Sequence, residues 1–174
     1  MNIRPKTMFF KETSTVPNSE LALLFYPKIV PNPEKLGPEY YEELFMRNGW
    51  RPAWRWQIFT HTHYHPNTHE CVATVYGSAK IMLGGDGGKI AELARGDVVV
   101  IPAGVGHRQV FATDDFLLVG AYPGNLLPKV FGAEESLMAE ARDEIAKVKI
   151  PDKDPVNGDS GGLLDLWKKS ARGK

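Results

Sequence analysis

The chain of 174 residues is long enough for one domain with a sizeable core and short for two. Its 21 basic residues balance 21 acidic ones, with 43% hydrophobic and 24% charged residues. That balance leaves no basic footprint for nucleic acid or an anionic membrane surface. The densest basic group is the terminal stretch 168–174, expected to be a solvated end. A single cysteine, Cys71, excludes an internal disulfide and a thiolate cluster, and its apolar surroundings predict a small buried hydrophobe. No segment is long and apolar enough for a signal peptide or a membrane span, so a cytoplasmic, reducing environment is expected.

In chain order, the apolar run 20–30 follows the turn-like Val16-Pro17-Asn18-Ser19 and predicts a buried strand ending near Pro27. Pro38 can open a short helix carrying Tyr41, Leu44 and Phe45 on one face, with Asn48-Gly49 as its left-handed terminus. From Trp54 the pattern turns to β. Strands are predicted over 54–65, 71–83, 89–93, 98–101, 107–111 and 115–122, separated by Pro, Gly and Asn signals. The run Gly84-Gly85-Asp86-Gly87-Gly88 predicts a turn between strands. A phosphate loop does not fit it, because Lys89 precedes Ile90 where Ser or Thr would have to bind Mg²⁺. Pro123-Gly124-Asn125 closes the β region, and an amphipathic helix follows over 134–148. Leu163, Leu164, Leu166 and Trp167 are expected to dock the tail onto the body. Many short strands at close intervals predict an all-β core built as a sandwich or barrel, with short flanking helices. The expected organisation is a single domain over 1–174: an N-terminal extension (1–53), a barrel core (54–123), and a docking helix and tail (124–174).

All five histidines fall in two windows: His61, His63, His65 and His69 in the first, His107 in the second. Side chains alternate along a strand, so His61, His63 and His65 are expected on one face. The Pro66-Asn67-Thr68 break lets the chain return with Glu70 beside them, and His107 can complete the set from a later strand. Imidazoles with one carboxylate suit a single first-row divalent ion: iron, manganese, nickel, cobalt, zinc or copper. Three nitrogen donors disfavour calcium and magnesium. His61 is a candidate for proton transfer or an exchangeable ligand. His69, of opposite parity, is expected to serve the loop. The same parity puts Gln57 and Phe59 on the His63 face, Tyr76 on the Glu70 face, and Gln109 and Phe111 on the His107 face, as pocket lining. Trp50, Trp54 and Trp56 are read as packing between helix and barrel, and Arg55 as a surface ion pair.

These windows resemble the two motifs of the cupins. His63-x-His65, four residues, Glu70, six residues and Gly77 is similar to the first; Gly96, five residues, Pro102-x-Gly104, two residues and His107 is similar to the second. Gln57 stands where the first motif opens with Gly, and Phe111 where the second closes with Asn. Asn48-Gly49-Trp50, Gly120-Ala121-Tyr122-Pro123 and Asp154-Pro155-Val156 extend the likeness over most of the chain, to the YjlB type of single-domain cupin. The resemblance implies a double-stranded β-helix (jelly-roll) barrel with an internal metal held by His63, His65, Glu70 and His107. It implies a metal-dependent enzyme acting on a small organic molecule, as an oxygenase or a Lewis-acid isomerase or lyase, with the reaction class open. A non-catalytic small-ligand module and a purely structural metal are the alternatives. The Trp-rich flank and an open sheet edge are compatible with a homodimer, which the resemblance also implies.

Overall fold

A computed structural model describes residues 2–172, with side chains through Trp167. The basic tail 168–174 thus lies outside the described side chains. Among the described residues the strands are β1 (Lys6–Phe10), β2 (Ser19–Tyr26), β3 (Trp50–Trp56), β4 (His63–Tyr64), β5 (Glu70–Tyr76), β6 (Ser78–Leu83), β7 (Lys89–Ala94), β8 (Val98–Ile101), β9 (His107–Ala112), β10 (Leu117–Pro123) and β11 (Phe131–Gly132). They form two antiparallel sheets, ordered β1-β2-β8-β5-β10-β3 and β11-β4-β9-β6-β7. The sheets face each other as a jelly-roll. Helices α1 (Pro38–Arg47), α2 (Met138–Ile145) and α3 (Gly162–Arg172) flank it. None of them is long and apolar enough to cross a membrane.

The inner strands of the six-stranded sheet, β8, β5 and β10, are buried on both faces, which explains why they read as continuous apolar runs and not as alternating ones. Leu23, Val72, Val99, Ile101 and Leu118 project between the sheets, together with Ile58, Ile81, Leu83 and Phe116. Their neighbours Leu24, Cys71, Ala73, Val98, Val100 and Val119 project outward, against Tyr41 and Phe45 of α1 and Leu163 and Trp167 of α3. Cys71 is accordingly buried and free. The tail docks as its apolar residues predicted, and it does so as a helix, in keeping with the i, i+1, i+3, i+4 spacing of Leu163, Leu164, Leu166 and Trp167. Trp167 donates from Nε1 to the Ala22 carbonyl at 2.8 Å. Buried Asp154 holds the approach to α3, accepting from Tyr26 Oη and from the amides of Val156, Asn157 and Leu163.

Two long predicted strands are divided. The 71–83 strand breaks at Gly77, where β5 of one sheet becomes β6 of the other. Gly77 has φ +63°, and a Cβ there would lie 2.9 Å from the Phe116 Cα, so only glycine fits the crossing. The 54–65 strand ends at Trp56, because residues 57–62 leave the first sheet and cross to the second, and β3 itself begins earlier, at Trp50. The helix predicted over 134–148 is a 3-10 turn, Glu135–Leu137, followed by α2. The barrel does not finish at 123–125: β11 returns to pair with β4, Phe131 opposite Tyr64. Strand β1, pairing with β2, was not anticipated. Inside the barrel the apolar side chains leave a cavity of only about 10 Å³, lined by Ile58, Val72, Ile81, Leu83 and Val99 among others. Polar chemistry is confined to the other end.

Candidate metal centre

His63 on β4 and His107 on β9 are direct cross-strand partners, and their ring centroids lie 4.1 Å apart. His65 follows β4 into the Pro66-Asn67-Thr68 turn, and Glu70 opens the returning β5 opposite Ile101 of β8. The turn before β9 is tied to this loop, since the Gly104 amide donates to the His65 carbonyl at 2.9 Å. His63, His65 and Glu70 from one window and His107 from the other therefore meet at one end of the barrel, and all four are buried. One ring nitrogen from each of His63, His65 and His107 lies within 4.8 Å of the other two. Glu70 Oε2 lies 3.5 Å from His65 Nε2 and 3.2 Å from His107 Nε2.

The outward-facing ring nitrogens decide what the inward ones can do. Nδ1 of His63 faces the His61 carbonyl at 3.3 Å, Nδ1 of His65 the Lys129 carbonyl at 2.6 Å, and Nδ1 of His107 the Val105 carbonyl at 3.0 Å. A carbonyl only accepts, so each Nδ1 carries a hydrogen and each ring, when neutral, offers the lone pair of Nε2. With all three rings neutral, three such lone pairs and a carboxylate in one buried space lack a donor among themselves. A divalent cation satisfies all of them, and carbonyls fixing the far ring nitrogens are the usual support for histidine ligands. The donor set thus fits a first-row metal. Burial pushes the His63 imidazole down to about 3, helped by the neighbouring His107 and His65 rings and opposed by Glu70. For His65 burial acts downward too, but the charge and hydrogen bond of Glu70 outweigh it and the pKa is raised. Glu70 is held well below the carboxylate range: burial would raise it, and the His65 and His107 imidazoles overcome that.

A model of the cupin family matches residues 59–122, the segment containing all four of these side chains. The curated YjlB protein of Bacillus subtilis (strain 168) is 32% identical over 169 residues, covering 97% of this chain and 100% of its own. The chain is a small cupin of the YjlB type. Among solved structures, acireductone dioxygenase from Bacillus anthracis, with a cadmium ion in its active centre, is similar at 16% identity and TM-score 0.41, over 62% of this chain and 82% of that one. A mutant of Bacillus subtilis oxalate decarboxylase is similar at 19% identity and TM-score 0.37, over 64% of this chain but only 22% of that one.

Around the centre the cupin departs from strict strand parity. His61 is exposed, not turned inward, because 57–62 is a crossing segment with no pleat to enforce alternation. Its ring stacks on Phe59 at 5.0 Å and stands 5.8 Å from that of His63. Phe59 is half exposed and meets the His63 ring edge-on at 4.9 Å. Gln57 and Gln109 do come together, with Gln109 Nε2 donating to Gln57 Oε1 at 3.1 Å and Gln57 Nε2 donating to the Phe116 carbonyl at 3.2 Å. Two irregularities displace the other predicted lining residues. Between Gln109 and Phe111 the β6–β9 register shifts by one, so Phe111 pairs with Lys80 on the outer face and is 55% exposed. A shift between β5 and β10 next to Tyr76 turns that ring to the helical side, under the Arg95 guanidinium at 4.7 Å. His69 serves the loop, as expected, but from within: it is buried against Trp167, and its Nδ1 accepts from the Ala103 amide at 3.0 Å. Burial pushes it down to about 4, against an upward pull from the Lys149 carbonyl, which keeps the ring neutral. Arg55 is a surface ion pair with Glu42 and Glu39. Of the tryptophans, Trp50 packs in the outer core, whereas Trp56 is 70% exposed.

One residue of the centre was missed. Tyr122, on β10, donates from Oη to Glu70 Oε1 at 2.8 Å and presents its ring edge to His65 at 5.5 Å. The signal was available in β10, where Val119 and Ala121 face the outer core and Leu118 the barrel, so alternation sends Tyr122 inward.

Proposed function

We propose that this cupin is a metal-dependent enzyme acting on a small organic molecule, with His63, His65, Glu70 and His107 as ligands of one first-row divalent ion. The observation that carries the reading is that each Nδ1 faces a backbone carbonyl while one nitrogen of each ring lies within 4.8 Å of the other two, with Glu70 Oε2 beside His65 and His107 Nε2. When bound, an ion there would polarise a carbonyl, stabilise an enolate or activate oxygen, according to its identity.

The chain's own residues supply the rest of the site. The apolar barrel interior closes the floor against water. At the side, the Phe116 carbonyl requires a donor from Gln57, so Gln57 Oε1 accepts from Gln109, and Gln109 Oε1 is left as a buried acceptor without a protein partner. An N–H or O–H of a substrate would satisfy it. Phe59 offers an apolar face beside His63, and His61, exposed above it, can exchange a proton with solvent.

Metal analysis of protein purified without a histidine tag, before and after incubation with each of the six ions, tests the reading. One equivalent per chain is expected, lost in His107→Ala; a wild-type chain that takes up none of the six refutes it. Turnover assays with the loaded forms, including oxygen consumption for iron, then separate the reaction classes. An unchanged turnover in a fully loaded His61→Ala variant would remove His61 from proton transfer. The near-complete burial of all four side chains favours a second reading, a metal that only pins the barrel end. That reading predicts a large loss of thermal stability in the apo form and no turnover with any ion.

A further inference from the structure

The two oxygens of Glu70 have different surroundings. Oε2 faces His65 and His107, while Oε1 accepts from Tyr122 Oη at 2.8 Å. Tyr122 Oη in turn accepts from Trp54 Nε1 at 3.0 Å. An indole N–H can only donate, so the direction of the whole chain is fixed: Trp54 to Tyr122, Tyr122 to Glu70. The sheet is built to allow it. Trp54 pairs across from Gly120, and a Cβ on Gly120 would collide with the indole ring at 1.9 Å. The glycine two residues before Tyr122 thus makes room for the indole that orients its hydroxyl.

We propose that Tyr122, held by Trp54, is a positioning residue that occupies Glu70 Oε1 and so presents Glu70 to the metal through Oε2 alone. The inference rests on the metal reading above. It adds that the carboxylate's mode of binding is selected by a hydrogen bond from the opposite side, and that the Tyr122 proton is committed to Glu70 and withheld from substrate. Tyr122→Phe would free Oε1 to rotate toward the imidazoles or to compete for the ion.

Cobalt(II) titration of apo protein, followed by its d–d absorption, tests this together with apo melting curves. Tyr122→Phe should bind cobalt about 10–100-fold more weakly than wild type, as losing support behind a ligand typically does. Its d–d bands should shift as the carboxylate changes mode. Trp54→Phe should shift both readouts in the same direction by less, and it carries the test if Tyr122→Phe does not fold. A merely structural hydroxyl would lower the apo melting temperature and leave cobalt affinity and bands unchanged; that result in both variants overturns the proposal and leaves the metal reading standing. A wild-type chain that takes up no cobalt overturns both.

Discussion

Metal uptake at this centre should expel a proton. Oε2 of Glu70 sits within 3.5 Å of two Nε2 atoms, and without a metal a carboxylate in that position draws a hydrogen onto a ring. His65 is the group held above its ordinary 6.5, while His63, pushed down to about 3, and the ionised Glu70 hold no proton near neutrality. A raised pKa means that the protonated form persists to higher pH, and a metal must displace that proton to reach Nε2. At pH 6 an imidazole titrating above 6.5 is more than about three-quarters protonated, so release should approach one proton per ion. Release should fall toward zero as pH rises through the pKa of His65. Below that pKa each pH unit should weaken binding about tenfold, or about 1.4 kcal/mol. Calorimetric titration at pH 6 in buffers of different ionisation enthalpy gives the proton count as a slope. A zero slope would mean that His65 is neutral in the apo protein, and the assignment of charge to the His65–Glu70 pair would be wrong.

Two further substitutions probe what supports the centre. Trp167→Ala empties a fully buried site, unpairs the Ala22 carbonyl and uncovers His69; a loss of about 3–5 kcal/mol is expected in urea or thermal denaturation, and an unchanged midpoint would show that α3 does not hold the outer core. Asn67 clamps the 127–129 segment, with its amide donating to the Leu127 carbonyl and its Oδ1 accepting from the Lys129 amide at 2.8 Å. Asn67→Ala should speed hydrogen exchange at Lys129 and, because the Lys129 carbonyl orients His65, weaken metal binding; unaltered exchange would show that the clamp is dispensable.

The clustering of His63, His65, Glu70 and His107 was legible because it follows from spacing at element boundaries. Glu70 and His107 each open a strand behind turn signals in Pro and Gly, and His63 and His65 lie two residues apart just before the first of those turns. The lining residues were less legible because their positions depend on accumulated parity, which a single bulge reverses. Phe111 lies beside a register shift that no glycine or proline marks, and Tyr76 lies beside one at the Gly77 crossing, which reads in sequence as part of a continuous strand. His61 was misplaced for a related reason, since the chain between Trp56 and His63 crosses from one sheet to the other without a breaker residue. Helix α3 was readable from the i, i+1, i+3, i+4 spacing of Leu163, Leu164, Leu166 and Trp167, but the Gly- and Asp-rich approach drew the reading toward an irregular tail. Tyr122 was readable by alternation, but only once β10 was known to separate two cores.

The Trp54–Tyr122–Glu70 chain also gives the protein an optical gauge. An indole two hydrogen bonds from the carboxylate loses excited-state energy to an open-shell ion such as copper, cobalt or nickel at that range, whereas filled-shell zinc leaves it bright. Trp50 and Trp167 belong to the outer core, behind the six-stranded sheet, and supply a steadier background. Intrinsic emission should therefore dim in proportion to occupancy by a quenching ion, and competition with zinc should restore it, so that the preference of the site among ions can be ranked on unlabelled protein.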